Sequence, residues 1–89
     1  GAFHMCNVRA PLDILWLRSD GRILDSARMS PGPLQHPALC GALYAPQRFG
    51  SYRFALEVPA GTLADVGITA ESLSRWRLQV EDWMLPAAP

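Results

Sequence analysis

Two apolar runs flank an Asp-Gly pair, and a short chain has few ways to accommodate them. Asp13-Ile14-Leu15-Trp16-Leu17-Arg18 is apolar between polar ends, and Ile23-Leu24-Asp25-Ser26-Ala27-Arg28-Met29 returns after Ser19-Asp20-Gly21-Arg22. Asp-Gly between apolar runs is the strongest short-range signal for a β-hairpin. The first run has no polar position inside it, which suits a strand covered on both faces. A hairpin alone is not stable in water, so further strands or a helix must cover it.

The remaining segments read as short elements. Residues 3–8 are plausible as a strand, and Pro11, with no backbone N–H, interrupts any ladder after it. Residues 51–58 alternate, with Tyr52, Phe54, Leu56 and Val58 on one face and Arg53, Ala55 and Glu57 on the other, as in a half-buried strand. Pro59-Ala60-Gly61 breaks it. Residues 62–67 then read as one helical turn, with Thr62 as N-cap, Asp65 favouring the dipole and Gly67 closing the end. The last segment fits a short helix near 70–75 followed by a strand near 76–81. The expected fold is therefore mainly β, a small antiparallel barrel or sandwich with one or two short helices.

Between these elements, Pro31, Pro33, Pro37 and Pro46 sit among Gly32, Gly41 and Gly50. Residues 31–50 thus predict a long loop, a feature that is usually functional or mobile in a compact domain. A chain of 89 residues is expected to form a single domain, with residues 82–89 as a tail. Charged residues make up 18% of it, below the usual ~25%, which hints at apolar surface covered by a partner. Eight basic and eight acidic residues cancel, so there is no basic footprint for nucleic acid. No apolar run approaches the ~20 residues of a membrane-spanning helix, and no charged-then-apolar leader opens the chain; a cytoplasmic or an exported location both remain open.

Two stretches resemble a known family. Phe3-His4-Met5-Cys6-Asn7, then Pro11-Leu12-Asp13-Ile14-Leu15-Trp16-Leu17 and Asp20-Gly21-Arg22-Ile23, is similar to the signature of domain-of-unknown-function family 192. Phe54-Ala55-Leu56-Glu57-Val58-Pro59-Ala60-Gly61-Thr62, with Gly67-Ile68 behind it, resembles the family's second block. The resemblance implies a compact antiparallel β domain, bacterial or archaeal and often exported, with no established activity; no cofactor is expected. His4 stands where the family usually has Trp, and Cys6 where Lys or Arg is common. Thr69-Ala70-Glu71-Ser72 replaces a usual Gly-Asp.

Candidate sites follow from residue type. The only histidines and cysteines form two clusters, His4-x-Cys6 and His36-x-x-x-Cys40, whose imidazoles and thiolates could bind zinc tetrahedrally, although their spacing matches no standard zinc motif. The alternatives are a Cys6–Cys40 bridge, which depends on export, or a buried Cys6, an interfacial His4 and a loop Cys40. Asp13 could serve acid–base chemistry, but an Asp in this context more often accepts backbone N–H bonds at the preceding turn. The Asn7 amide reads as a tie from strand to loop. Met5, Asn7 and Asp13 together make the candidate ligand-binding set. Trp16 and Trp76 read as core, and Trp83-Met84-Leu85 as an apolar triplet that docks on the domain or a neighbouring subunit.

No nucleophile elbow or phosphate loop is present, which favours a non-enzymatic module binding a small ligand or a protein; a metal-binding protein is the alternative. The family's N-terminal elements have no counterpart here, which predicts an uncovered apolar edge and a homodimer. Sedimentation should then show a dimer, and a clean monomer at high concentration would count against it.

Overall fold

The computed structural model describes residues 2–41, 43–47 and 51–79. Its frame is a three-stranded antiparallel sheet of β1 (Leu12–Leu17), β2 (Ile23–Met29) and β3 (Phe54–Pro59), in the order β2-β1-β3. The expected mainly β class and antiparallel pairing hold. The sheet is open, with β2 and β3 as its two edges among the described residues, and is not closed into a barrel, one of the two forms expected. Among the described residues, no helix is long and apolar enough to cross a membrane.

The hairpin forms as its turn chemistry dictates. The Gly21 N–H donates to the Arg18 carbonyl at 2.9 Å, and the Arg18 N–H donates to the Arg22 carbonyl at 2.9 Å. Gly21 takes φ +86°, a left-handed conformation with little cost only for glycine. The Asp20 carboxylate accepts the Arg22 N–H at 3.1 Å, which is the main reason its pKa is lowered. Pairing runs from Leu12↔Met29 to Trp16↔Asp25, then shifts before Leu17↔Ile23, leaving a bulge beside the turn.

Strand β1 is central and its apolar side chains point both ways, so the molecule has two cores. On one face Leu15 and Leu17 pack with Ile23, Leu63, Ile68 and Leu73. On the other, Ile14 and Trp16 pack with Met5 and Met29, and Phe3, Tyr44 and Tyr52 lie against them. Burying each of these large side chains stabilises the fold by about 1.5–3 kcal/mol. Of the face assigned to residues 51–58, Phe54 and Val58 pack on the Leu15 core and Leu56, paired with Leu15, shares their side but is exposed; Tyr52 departs and joins the opposite core because the ladder starts only at Phe54.

The first core is capped by α1 (Thr62–Asp65) and a 3₁₀ turn at Leu73–Arg75. Gly61, at φ +94°, is the N-cap rather than Thr62, which sits inside the helix and makes no capping bond. The end is a Schellman motif: Gly67, at φ +90°, donates to the Ala64 carbonyl and Ile68 to the Leu63 carbonyl. Leu63 and Ile68 then meet in the core. The helix expected near 70–75 shortens to the 3₁₀ turn, because the Ser72 hydroxyl accepts the Thr69 N–H at 2.9 Å and the local turn competes with the helix.

The strand expected near 76–81 reduces, over its described part, to one bridge, Arg77 with Arg22. Trp76 is partly exposed over the Gly67 side, not core as expected. Likewise, residues 3–8 contribute one bridge, Phe3 with Tyr44, in place of a strand. The Trp83-Met84-Leu85 triplet and the rest of the tail lie outside the described residues.

Gly21 is also where the C-terminal segment crosses the hairpin. The Leu78 N–H donates to the Gly21 carbonyl at 2.8 Å, and a Cβ at Gly21 would collide with the Leu78 carbonyl oxygen. Gly61 shares the left-handed backbone but has open space around it. Gly61→Ala should cost about 1–3 kcal/mol for the backbone alone, and Gly21→Ala clearly more. Urea unfolding of the two variants measures the difference; equal losses would refute the crossing.

Candidate functional site

Asp13 opens β1 opposite Arg28 on β2 and Val58 on β3. Its carboxylate is buried and takes three donors: Arg28 Nε at 2.9 Å, Arg28 Nη2 at 3.3 Å and the Gly61 N–H at 2.9 Å. It therefore accepts a backbone N–H from the turn between β3 and α1, 48 positions away, rather than from the turn before it. The Arg28 side-chain bonds hold the Asp13 pKa below its ordinary value, with the Gly61 bond adding to them and burial opposing. Arg28 is shifted the other way, upward, by the same pair. This carboxylate stays ionised at neutral pH and joins the neighbouring strand β2 to the helix entrance. It also borders a hollow of about 370 Å³ shared with Ser26, Leu63 and Ile68.

Asn7 does what its amide suggested. It adopts φ +65°, its Nδ2 donates to the Gln35 carbonyl at 3.0 Å, and its Oδ1 accepts the Gln35 N–H at 3.0 Å. The Asn7 N–H adds a bond to the Pro33 carbonyl at 3.0 Å. Met5 is buried under Trp16 in the second core. The sequence-derived trio is thus dispersed: Met5 in a core, Asn7 at the loop, Asp13 in the sheet.

The Pro/Gly-rich loop is fastened along its described length. Gly32 approaches so closely that a Cβ there would collide with the Met5–Cys6 peptide. Phe3 and Tyr44 exchange backbone bonds at 2.7 and 2.9 Å, and the Tyr44 hydroxyl accepts the Ser30 N–H at 3.1 Å. Farther along, the Gln47 N–H donates to Asp25 Oδ2 at 2.7 Å, while Asp25 Oδ1 accepts the Ser26 N–H at 2.9 Å.

Cys6 and Cys40 form a disulfide with a Cα–Cα distance of 6.1 Å. Closing a loop of this separation, 34 positions, stabilises the chain by about 4 kcal/mol in the loop-entropy model. A His4 ring nitrogen lies within 4.8 Å of both sulfurs. Gln35 Nε2 lies 3.3 Å from Cys6 Sγ and 3.6 Å from Cys40 Sγ, and also donates to the Leu39 carbonyl at 3.2 Å. His36 stands apart from this group: its Nδ1 accepts the Ala38 N–H at 3.1 Å and caps the 3₁₀ turn Pro37–Leu39. Three of the four residues proposed as metal ligands are brought together.

Beneath residues 43–47 lies a cavity of about 320 Å³, lined by Trp16, Asp25, Ser26, Leu43, Tyr44 and Gln47, among others. Trp16 is almost wholly buried, and among the described residues its indole N–H finds no acceptor. The sequence flagged Trp16 as a core residue. Nothing in it signalled the unpaired N–H, which depends on where the loop comes down. For the same reason, the sequence does not single out Gln35 or Gln47. Arg28 was within reach, because counting outward from the Asp-Gly turn sets it against Asp13.

The model of domain-of-unknown-function family 192, described as an uncharacterized ACR, matches residues 1–76. No curated protein and no solved structure matches the chain.

A carboxylate whose pKa is lowered by folding stabilises the fold fully above its unfolded value, and that contribution fades as the pH falls through the folded value. Asp13→Asn should therefore cost about 1.5–3 kcal/mol at pH 7, the worth of a charged hydrogen bond. Below the ordinary Asp value of 3.8, the gap between variant and parent should close. Chemical denaturation of both proteins from pH 7 down to pH 2 checks it.

Proposed function

Because the chain belongs to domain-of-unknown-function family 192, whose description assigns no activity, we propose from its own geometry that it is a non-enzymatic module binding a small neutral ligand beneath residues 43–47. One observation carries the reading: Trp16 lines the cavity, and among the described residues its buried indole N–H lacks an acceptor. Leaving such a donor unpaired costs about 1–3 kcal/mol, and buried polar groups are otherwise nearly always paired. A ligand carbonyl or ether oxygen would supply the missing acceptor. The volume falls within the ~300–1,000 Å³ usual for small-molecule sites.

The lining supports a neutral ligand over an anion. Asp25 contributes a carboxylate to the wall, and both of its oxygens are already engaged by backbone N–H groups. A second negative charge beside it would be repelled. Leu43 and Tyr44 offer apolar contact at the mouth, while Met5 packs behind Trp16 and Asn7 anchors the loop that forms the roof.

Titration of the ¹⁵N-labelled chain with N-methylacetamide and 2-pyrrolidone tests this, with acetate as the anionic control. The Trp16 indole resonance, assigned by its loss in Trp16→Phe, should move with the neutral carbonyl probes at about millimolar affinity and less with acetate. The Trp76 resonance should stay in place. A Trp16 signal indifferent to every probe, or shifts shared equally with Trp76, would sink the proposal.

A further inference from the structure

Independently of the cavity, the cluster around the disulfide carries a second kind of chemistry. His4 is exposed, Cys6 is buried and Cys40 is half-buried, and one donor atom from each lies within 4.8 Å of the others. Tetrahedral zinc with thiolate and imidazole ligands needs donor atoms about 3.3–3.8 Å apart, from Zn–S near 2.3 Å and Zn–N near 2.0–2.1 Å. Separating two bonded sulfurs to that spacing takes a side-chain adjustment, not a rearrangement of the backbone. We propose that reduction of the Cys6–Cys40 disulfide converts this cluster into a three-ligand site for zinc or another thiophilic divalent cation, built from His4, Cys6 and Cys40.

The chemistry balances with a dithiol as reductant. Its thiolate attacks Cys40 Sγ, the more exposed sulfur; the S–S bond breaks, and Cys6 leaves as a thiolate that takes up a proton. The second thiol of the reductant then displaces Cys40 as a thiol, and the reductant departs as a cyclic disulfide. Two electrons have moved to the protein. Metal entry releases two protons as both thiols become thiolate ligands, and His4 binds through a neutral ring nitrogen. A water completes the tetrahedron.

Two features fit this use beyond proximity. Gln35 aims its side-chain amide at both sulfurs, and an N–H donated to a metal-bound thiolate is the outer-shell contact that steadies such ligands. Its own backbone is clamped by Asn7, so the amide is held in place in either redox state. His36, by contrast, has its Nδ1 committed to the cap of the 3₁₀ turn.

The test uses the full chain with Co²⁺ as a spectroscopic probe, in the oxidised form and after dithiol reduction with the reductant removed anaerobically. The reduced protein should bind one equivalent, with a thiolate-to-cobalt charge-transfer band and intense tetrahedral d–d bands that Zn²⁺ abolishes; the oxidised protein should show neither. His4→Ala keeps both thiols and alters an exposed side chain. It should weaken binding by more than the about 10–100-fold that loss of an outer-shell partner costs. His36→Ala should bind as the parent does. No tetrahedral spectrum on reduction, equal binding by the oxidised form, a His4→Ala variant as tight as the parent, or loss of binding in His36→Ala would each overturn the assignment.

Discussion

Strand β1 carries large apolar side chains on both faces, and so the sheet cannot leave either face to water. The two covers are made differently. Over Leu15 and Leu17, the chain supplies regular pieces, a helical turn and a 3₁₀ turn that share Leu63, Ile68 and Leu73. Over Ile14 and Trp16, it supplies irregular ones, the segment around Phe3 and Met5 and the loop carrying Tyr44 and Gln47. Irregular backbone cannot satisfy its own hydrogen bonds, which is why that side is crowded with side chain-to-backbone ties: Asn7 to Gln35, Tyr44 to Ser30, Asp25 to Gln47. The less regular cover also leaves the cavity against Trp16.

Asp13 links the sheet to the regular cover. A buried carboxylate is expensive unless its oxygens are filled. Here one oxygen goes to Arg28 alone, and the other is shared by Arg28 and the Gly61 N–H, so the charge fixes the neighbouring strand and the entrance of α1 at once. Gly61 presents that N–H from a left-handed backbone, which places the two matching sequence blocks, around Asp13 and around Gly61, in direct contact. Asp13, which read alone could serve acid–base chemistry, forms with Arg28 and Gly61 a joint.

Local signals are legible in the sequence, and distant ones are not. The hairpin was legible because Asp20-Gly21 specifies its own turn, and β1 because an unbroken apolar run has to be hidden on both sides. The tie made by Asn7 was legible because an amide can both donate and accept. Closure of the sheet was not, since nothing in the three strand patterns states whether the edges meet. Residues 3–8 and 76–81 look like strands by composition, yet over its described part each meets its neighbour at one bridge, because a single apolar alternation does not ensure a partner of matching length. At the candidate site, residue type groups His4, Cys6, His36 and Cys40; the fold brings His4, Cys6 and Cys40 within 4.8 Å of one another, while the His36 ring nitrogen is spent on its own turn.

The close crossing at Gly32 bears on how the loop finds its place. Two backbones pass there with no room for a side chain, so only a glycine can occupy the crossing point. Sliding the loop by one residue in either direction would bring Pro31 or Pro33 against the Met5–Cys6 peptide. The glycine therefore works as an index mark between two prolines, selecting a single alignment of an otherwise patternless segment. That alignment sets Gln35 beside the sulfurs and brings Cys40 opposite Cys6, so the correct pairing of the cysteines is prepared by a residue that has no side chain at all.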